Sequence, residues 1–352
     1  MRYHSDSVVG LFSSEERLCE LSALGDPLVT LLRHIDFEFF RPTLEQVLYG
    51  RYDGSKGGRP PFDPVLMFKV LVLQRLYNLS DDAVEYQIKD RLSFMRFLGL
   101  NFASRVPDAK TVWLFRNQLQ QHDLVRKLFD EMNADLERRN IIANAGQIVD
   151  ASFVEVPRQR NSKAENEQIK AGSVPADWQQ NPHKLCQKDT DARWAKKNQE
   201  TFFGYKDHVL CDRKSKLIKE YAVTDAAVHD VVVIPDLIAS GKADHQTLYA
   251  DKAYRSADIE EKLAGRQIKS RVHYKAARNR PLSAAQQLSN QARSRKRARI
   301  EHIFGFITNS MGGIFARCCS QARNEVVIGL INLTYNLCRV TQINKQLRPV
   351  TA

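Results

Sequence analysis

The sequence predicts an α+β or α/β protein: an N-terminal helical domain over 1–140, then a mixed sheet flanked by helices over 141–345. Three observations carry this. Up to Arg139, apolar residues recur at helical spacing behind good N-cap residues. At Gln147 the character changes to the β-branched density of a strand. From there strand-like and helix-like segments follow in the order strand, hairpin, helix, strand, helix, strand, helix.

In the first half, Asp63 precedes Pro64 and a dozen residues that are apolar on nearly every face, which predicts a capped and buried helix. Ser80 offers a second cap, with Asp81 and Asp82 in a first turn whose dipole favours negative charge. Asp108 offers a third, before AKTVWLFRNQLQQ. Leu124, Leu128, Met132 and Leu136 recur every four residues and make one apolar helix stripe. DGSKGGRPP at 53–61 reads as a flexible linker.

In the second half, QIVDASFVEV reads as a strand and the polar stretch at 158–200 as an insertion or loop without periodicity. FFGYKDHVLCD and SKLIKEYAVTD read as a hairpin turning near Asp212 to Lys214. DVVVIPDLIAS opens a helix, QTLYADKAY is a strand, SADIEEKLAG is a helix from Ser256 to Gly265, and IKSRVHY is the last strand. QARSRKRARIEHIFGFI has helical character. The closing NEVVIGLINLTYNLCRV is amphipathic and is expected to pack on the sheet.

Composition narrows the partners. A hydrophobic content of 43% supports a real core, no uninterrupted apolar run approaches the roughly 20 residues of a membrane span, and MRYHSDSVVG lacks the order of a signal peptide. A cytoplasmic protein with no membrane partner is expected. The cysteines (Cys19, Cys186, Cys211, Cys318, Cys319, Cys338) are scattered without paired CxxC spacing, so reduced thiols are expected rather than a zinc site. The net charge of +12 favours a polyanion. From Lys262 to Ile300 there are twelve Lys or Arg and no Asp or Glu, which accounts for the whole net charge and suits a phosphate-facing surface.

Hydrolysis and transfer of phosphodiesters are served by paired hard cations, which take oxygen ligands from carboxylates on separate elements. Asp150 ends the apolar run QIVD and Asp251 ends TLYAD, each followed by small residues. Two Asp at equivalent strand ends would sit side by side at the edge of a sheet, and a buried strand Asp is costly unless paired or bound to metal. The plainer alternative for either one alone is a turn or cap residue.

IVDAS, DARWAKKN, FFGYKDHVLCD, VTDAAVHD, YADKAYRS and RARIEHIFG, in this order, resemble the successive blocks of DDE-type insertion-sequence transposases, nearest the insertion-sequence-five family. PPFDPVLMFKVLVLQRLYNLSDDAVEYQIKDRLSFMRFLGL and PDAKTVWLFRNQL resemble that family's N-terminal helical domain, so the likeness runs over 40–340. It implies a ribonuclease-H-like catalytic core, two Mg²⁺ ions (with Mn²⁺ able to substitute), and action on double-stranded DNA: the inverted-repeat ends of a mobile element and a target. It places the three acids on Asp150, Asp251 and Glu301. A homodimer or higher homo-oligomer on DNA is expected, with the helical domain binding DNA and dimerising. Where the family usually shows Tyr before Arg297 and Lys after Glu301, this chain has Ser294 and Thr308.

Arg297, Lys206, Lys252, Arg293, Lys296 and Arg116 are the candidate DNA contacts, and His208 and His229 candidate groups beside the metals. Each has a bland alternative, a solvated cation or a satisfied structural histidine. Trp194 either stacks on a base or anchors a loop. Two rival functions remain at this stage, a non-catalytic DNA-binding relative acting as a repressor and a nuclease of the same core without strand transfer.

Overall fold

Three N-cap side chains start the helices of the first half where the sequence predicts them. Asp63 accepts from the Leu66 amide (2.9 Å), Ser80 from Ala83 (3.1 Å) and Asp108 from Thr111 (2.7 Å). Each satisfies a donor that a first helical turn leaves unpaired. The structure, a computed structural model, describes residues 13–48, 60–197, 199–240, 242–278 and 280–347. All but the last two residues of the 53–61 linker therefore lie outside the described residues.

The N-terminal helices are α1 (Ser13–Ala23), α2 (Pro27–His34), α3 (Arg41–Leu48), α4 (Pro64–Leu76), α5 (Asp81–Asp90), α6 (Leu92–Leu98), α7 (Ala109–Gln121) and α8 (Leu124–Arg138). Helix α4 is buried on most of its faces, as its unbroken apolar run requires. The Leu124, Leu128, Met132 and Leu136 stripe of α8 is buried too.

The strands are β1 (Gln147–Glu155), β2 (Arg193–Lys197), β3 (Glu200–Asp212), β4 (Ile218–Asp225), β5 (Thr247–Ala250) and β6 (Lys269–Val272). Among the described residues they form one sheet in the order β2-β3-β1-β5-β6, with β4 also on β3. Strands β4, β3 and β1 are antiparallel, whereas β1, β5 and β6 are parallel. An antiparallel meander continued by two parallel strands is the ribonuclease-H-like sheet that the resemblance implies. Gly204 is needed where β3 crosses β1: its φ is +147°, and a Cβ there would lie 2.2 Å from the Val154 carbonyl oxygen.

Strand alternation divides the core. Ile148, Val209 and Cys211 join the N-terminal helices and the C-terminal helix on one face. Val149 and Leu210 point the other way, into a cluster with α12 (Asp230–Ser240) and α13 (Ala257–Gly265). Helix α13 carries the chain from β5 to β6.

Two expectations need correction here. The polar stretch at 158–200 is not a structureless loop: it holds α9 (Lys163–Lys170), α10 (Ala176–Gln179), α11 (Pro182–Leu185) and β2. Helix α9 depends on a capping box of Ser162 and Glu165, and Trp178 is fully buried with its indole N–H donating to Glu165 at 2.7 Å. Short helices held by a cap and one buried ring leave little periodicity to read. The basic helix, in turn, is interrupted: α14 (Ala284–Arg297) ends before α15 (Glu301–Ser310) begins.

The last helix, α16 (Gln321–Leu347), differs from expectation in degree. It packs on β3 and β4 but also on α2, α4, α7 and α8, so it is buried on most sides and joins the helical region to the sheet. Gly329 permits this, because a Cβ there would lie 2.3 Å from the Tyr221 hydroxyl and 2.8 Å from Val125. By length and composition α16 suits a membrane span, yet 78% of its apolar window is buried inside the protein.

Candidate active site

The parallel contact between β1 and β5 is short, with Gln147 opposite Leu248 and Ile148 opposite Tyr249. Two residues further on, this register sets Asp150 beside Asp251. There the strands part. Strand β5 stops at Ala250, while β1 continues to Glu155 along β3, where Asp150 faces Val209. Asp251 thus ends its strand as expected, but Asp150 lies mid-strand. The pair lies just past the parallel contact, where β5 ends and β1 continues, a place where open α/β sheets leave a crevice for ligands.

Asp150 accepts the Ala151 amide at 2.9 Å and the Arg297 guanidinium through its other oxygen. Burial pushes its carboxyl above the usual range against the pull of Arg297, and the neighbouring Asp251 charge adds to the rise. The same Arg297 reaches Glu301, with Nη2 3.6 Å from Oε1. Glu301 itself is 65% exposed. Ile300, Ile303 and Ile307 are fully buried and seat α15 against the core, with Phe304 half-buried beside them. Arg297 is therefore the cation that Asp150 and Glu301 share.

Asp251 has a different partner. His273 Nδ1 lies 3.3 Å from its Oδ1, and His273 Nε2 lies 3.3 Å from the Ser294 hydroxyl. Burial raises the Asp251 carboxyl, but the Lys252 amide and His273 outweigh it and hold the group below its ordinary value. Burial lowers His273, opposed by the Asp251 charge. The role of His273 comes from strand pairing and not from its own stretch of sequence. The β5–β6 register pairs Ala250 with Val272, so His273 stands opposite Asp251 at the end of the third parallel strand. The sequence does not single out Tyr254 either; it is buried, its hydroxyl is unpartnered, and the nearby charges of Asp150, Asp230 and Asp251 reinforce the upward push of burial on its phenol.

The other candidates scatter. Lys206 donates to the Val228 carbonyl (2.7 Å) and Asp230 (2.8 Å). His208 is buried against the Thr224 hydroxyl at 2.9 Å, and burial lowers it to about 4. His229 is exposed and lines a cleft of about 380 Å³ with Ser152, Phe153, Trp194, Lys197 and Lys206. Trp194 is 45% exposed there and rests against Phe203, so it is not a buried anchor; Trp178 fills that role. Lys252 and Lys296 are exposed.

Arg116 and Arg293 correct the expectation of cations on an exposed face. Arg116 is 8% exposed and grips Asp81 through two N–H groups at 2.7 and 2.8 Å. Arg293 is 7% exposed, donates to the Val272 carbonyl and lies over the Tyr274 ring. Both positions look solvated from sequence because what buries them lies far away in the chain.

Carboxylate oxygens are the right donors for a hard divalent cation, and the guanidinium between Asp150 and Glu301 marks a place that attracts positive charge. Among the described residues, however, no three His, Cys, Asp or Glu side chains converge closely enough to enclose an ion. The two aspartates are assembled; Glu301 is connected to them through Arg297.

Residues 144–337 match the family described as "Transposase DDE domain", and residues 16–118 match one described as "Transposase domain (DUF772)". Among solved structures, the chain is similar to a piggyBac transposase synaptic complex with hairpin DNA, at 12% identity and a TM-score of 0.46, over 92% of this chain and 76% of that one. It is also similar to a pre-cleavage Mos1 transpososome, at 9% identity and a TM-score of 0.21, over 94% of this chain and 97% of that one.

Proposed function

The chain belongs to the transposase DDE-domain family and is a DNA transposase; from that premise we propose that Asp150, Asp251 and Glu301 are its three metal-binding acids. The observation that supports this best is the register that sets Asp150 beside Asp251, with Arg297 reaching both Asp150 and Glu301. The family generally uses divalent metal ions. Asp150 would serve two Mg²⁺ ions, Asp251 one and Glu301 the other, with Mn²⁺ able to replace them. When bound, the ions would stabilise charge on the phosphodiester oxygens and lower the pKa of the attacking water.

The chain's own groups do the positioning. His273 holds the Asp251 carboxylate in one orientation, itself steadied by Ser294. Arg297 neutralises Asp150 in the free protein and would pass to a DNA phosphate once the acids are otherwise satisfied. Lys252 and Lys296 are exposed near these acids in sequence and would contact the backbone, as would Lys206 at the adjoining cleft. His229, which lines that cleft, and the buried His208 would act beside the metals. The reaction is hydrolysis at inverted-repeat ends followed by attack of the freed 3′-OH on target DNA. Residues 1–140 would form the DNA-binding and dimerising domain and 141–345 the catalytic core, working as a homodimer or higher oligomer on DNA.

Incubating the protein with a labelled inverted-repeat end and Mg²⁺ tests the reading. Cut and joined products support it. Binding without cutting would leave a DNA-binding relative, and cutting without joining a nuclease.

A further inference from the structure

A second cationic site lies apart from the acids. A cleft of about 210 Å³ opens between the start of α5, one face of α7, the segment at 317–319 and the first turns of α16. Arg116, Arg317, Arg323, Asn117, Gln120 and the half-exposed Trp113 line it. Asp81 is the one carboxylate among the described lining residues, and Arg116 already grips it with two N–H groups. Arg317 is bonded to the neutral Asn78 side chain at 2.9 Å, and Arg323 is exposed.

Next to this cleft, Arg75 of α4 is 7% exposed and its Nε has no hydrogen-bond partner. Burial, and then the neighbouring Arg116 charge, lower it to about 10, with Asp81, Cys318 and Arg317 also acting on it. A buried guanidinium is expensive unless an anion accepts its hydrogen bonds. Three arginines line the cleft against one carboxylate already committed to Arg116, with Arg75 beside them. Guanidinium groups with flanking amides suit the tetrahedral oxygens of a phosphate.

We propose that this cleft holds one backbone phosphate of duplex DNA and fixes the duplex against the helical region, at a site separate from Asp150 and Asp251. This rests on the DNA-processing reading above. The contact is to backbone, so it should strengthen binding to end sequences and unrelated duplexes alike.

The test measures binding of the full chain to a labelled end and to an unrelated duplex across a salt series. It compares the parent, the Arg317→Gln/Arg323→Gln double variant, and a control of equal charge loss on α8 and the residue that follows it, Lys127→Gln/Arg139→Gln. The cleft variant should bind both duplexes more weakly and reduce the steepness of log K against log salt by about 1; the control should keep the parent's slope. Equal slopes in cleft variant and control would overturn the proposal. If the parent itself shows no salt-dependent DNA binding, it is the transposase reading that fails. A second measurement needs no variant. Cys186 is exposed and lines the cleft, so duplex DNA should slow its alkylation several-fold. An unchanged rate with DNA bound, or slowing by an acidic peptide and not by DNA, would overturn the phosphate assignment.

Discussion

Arg297 donates to Asp150 across 147 positions of chain, and this one contact ties the basic helix α14 to the central strand of the sheet. A guanidinium so placed opposes the upward push of burial on the Asp150 carboxyl and takes the position of positive charge between two acids. It makes the free protein's charge balance depend on one side chain. Each side chain of the pair is 22% exposed, so the full penalty of a broken buried pair is reduced by solvent.

Arg297→Gln should therefore lower stability without metal by about 2 kcal/mol, an order-of-magnitude figure for a partly buried pair. Added Mg²⁺ should then raise the melting temperature of the variant by more than it raises the parent's, since the ion supplies the missing charge. Thermal unfolding with and without Mg²⁺ measures both. A metal-induced shift no larger than the parent's would mean that Arg297 and the ion do not share a place.

His273→Ala should leave the fold intact and increase the Mn²⁺ concentration needed for half-saturation by about tenfold, the low end for loss of a group that orients a ligand. His273→Gln, which keeps a hydrogen-bonding group toward Asp251, should recover part of that. Titration of Mn²⁺ by its paramagnetic signal reads affinity without catalysis. Parent-like affinity in His273→Ala would remove the histidine from the site.

Asp207 makes stability depend on pH. It is 1% exposed, accepts from Asn332 at 3.1 Å through one oxygen and leaves the other unpartnered. Burial pushes its carboxyl up to about 7. An unfolded Asp ionises near about 3.9, so between there and neutrality the unfolded chain releases a proton that the folded chain keeps. The group's favourable balance is full below about pH 4, declines by up to about 1.4 kcal/mol per pH unit, and levels off once the folded carboxyl ionises. Asp207→Asn should remove that decline. Denaturation of both proteins at about pH 5 and about pH 7.5 compares them; identical pH dependences would show that Asp207 does not titrate in this range.

Gly204→Ala should destabilise by more than about 3 kcal/mol, as expected where a side chain meets both a steric clash and a positive φ. The clash is with the Val154 carbonyl of β1, so the pairing that carries Asp150 would shift. Soluble yield and denaturation midpoint measure it. A variant of parental stability would show that β1 and β3 approach less closely than described.

Much of this fold was legible because its signals are local. Asp63, Ser80, Asp108 and Ser256 cap helices with their own side chains. The matched apolar runs before Asp150 and Asp251 foreshadow their shared register. Tertiary relationships were less legible. Arg116 and Arg293 read as surface cations until α5 and β6 supply their partners. His273 matters only because β6 lies beside β5, and Trp178 outranks Trp194 only because α9 offers Glu165 to its indole. The break between α14 and α15 leaves no mark in composition, yet Arg297 and Glu301 stand on either side of it.

Glu301 is the most exposed of the three acids and the one reached through Arg297, so it discriminates most sharply between a metal ligand and a salt-bridge partner. As an exposed ion-pair partner it would contribute at most about 1 kcal/mol, and Glu301→Gln would cut DNA almost normally. As the third ligand, Glu301→Gln should fold and bind a labelled inverted-repeat end like the parent while cleavage in Mg²⁺ falls by at least about a hundredfold. Asp150→Asn and Asp251→Asn should behave in the same way. The single-turnover cleavage rate of Glu301→Gln, measured beside these two variants, is the direct test: a loss of this size in all three supports the three-acid site, and cleavage near the parent's rate in Glu301→Gln contradicts it.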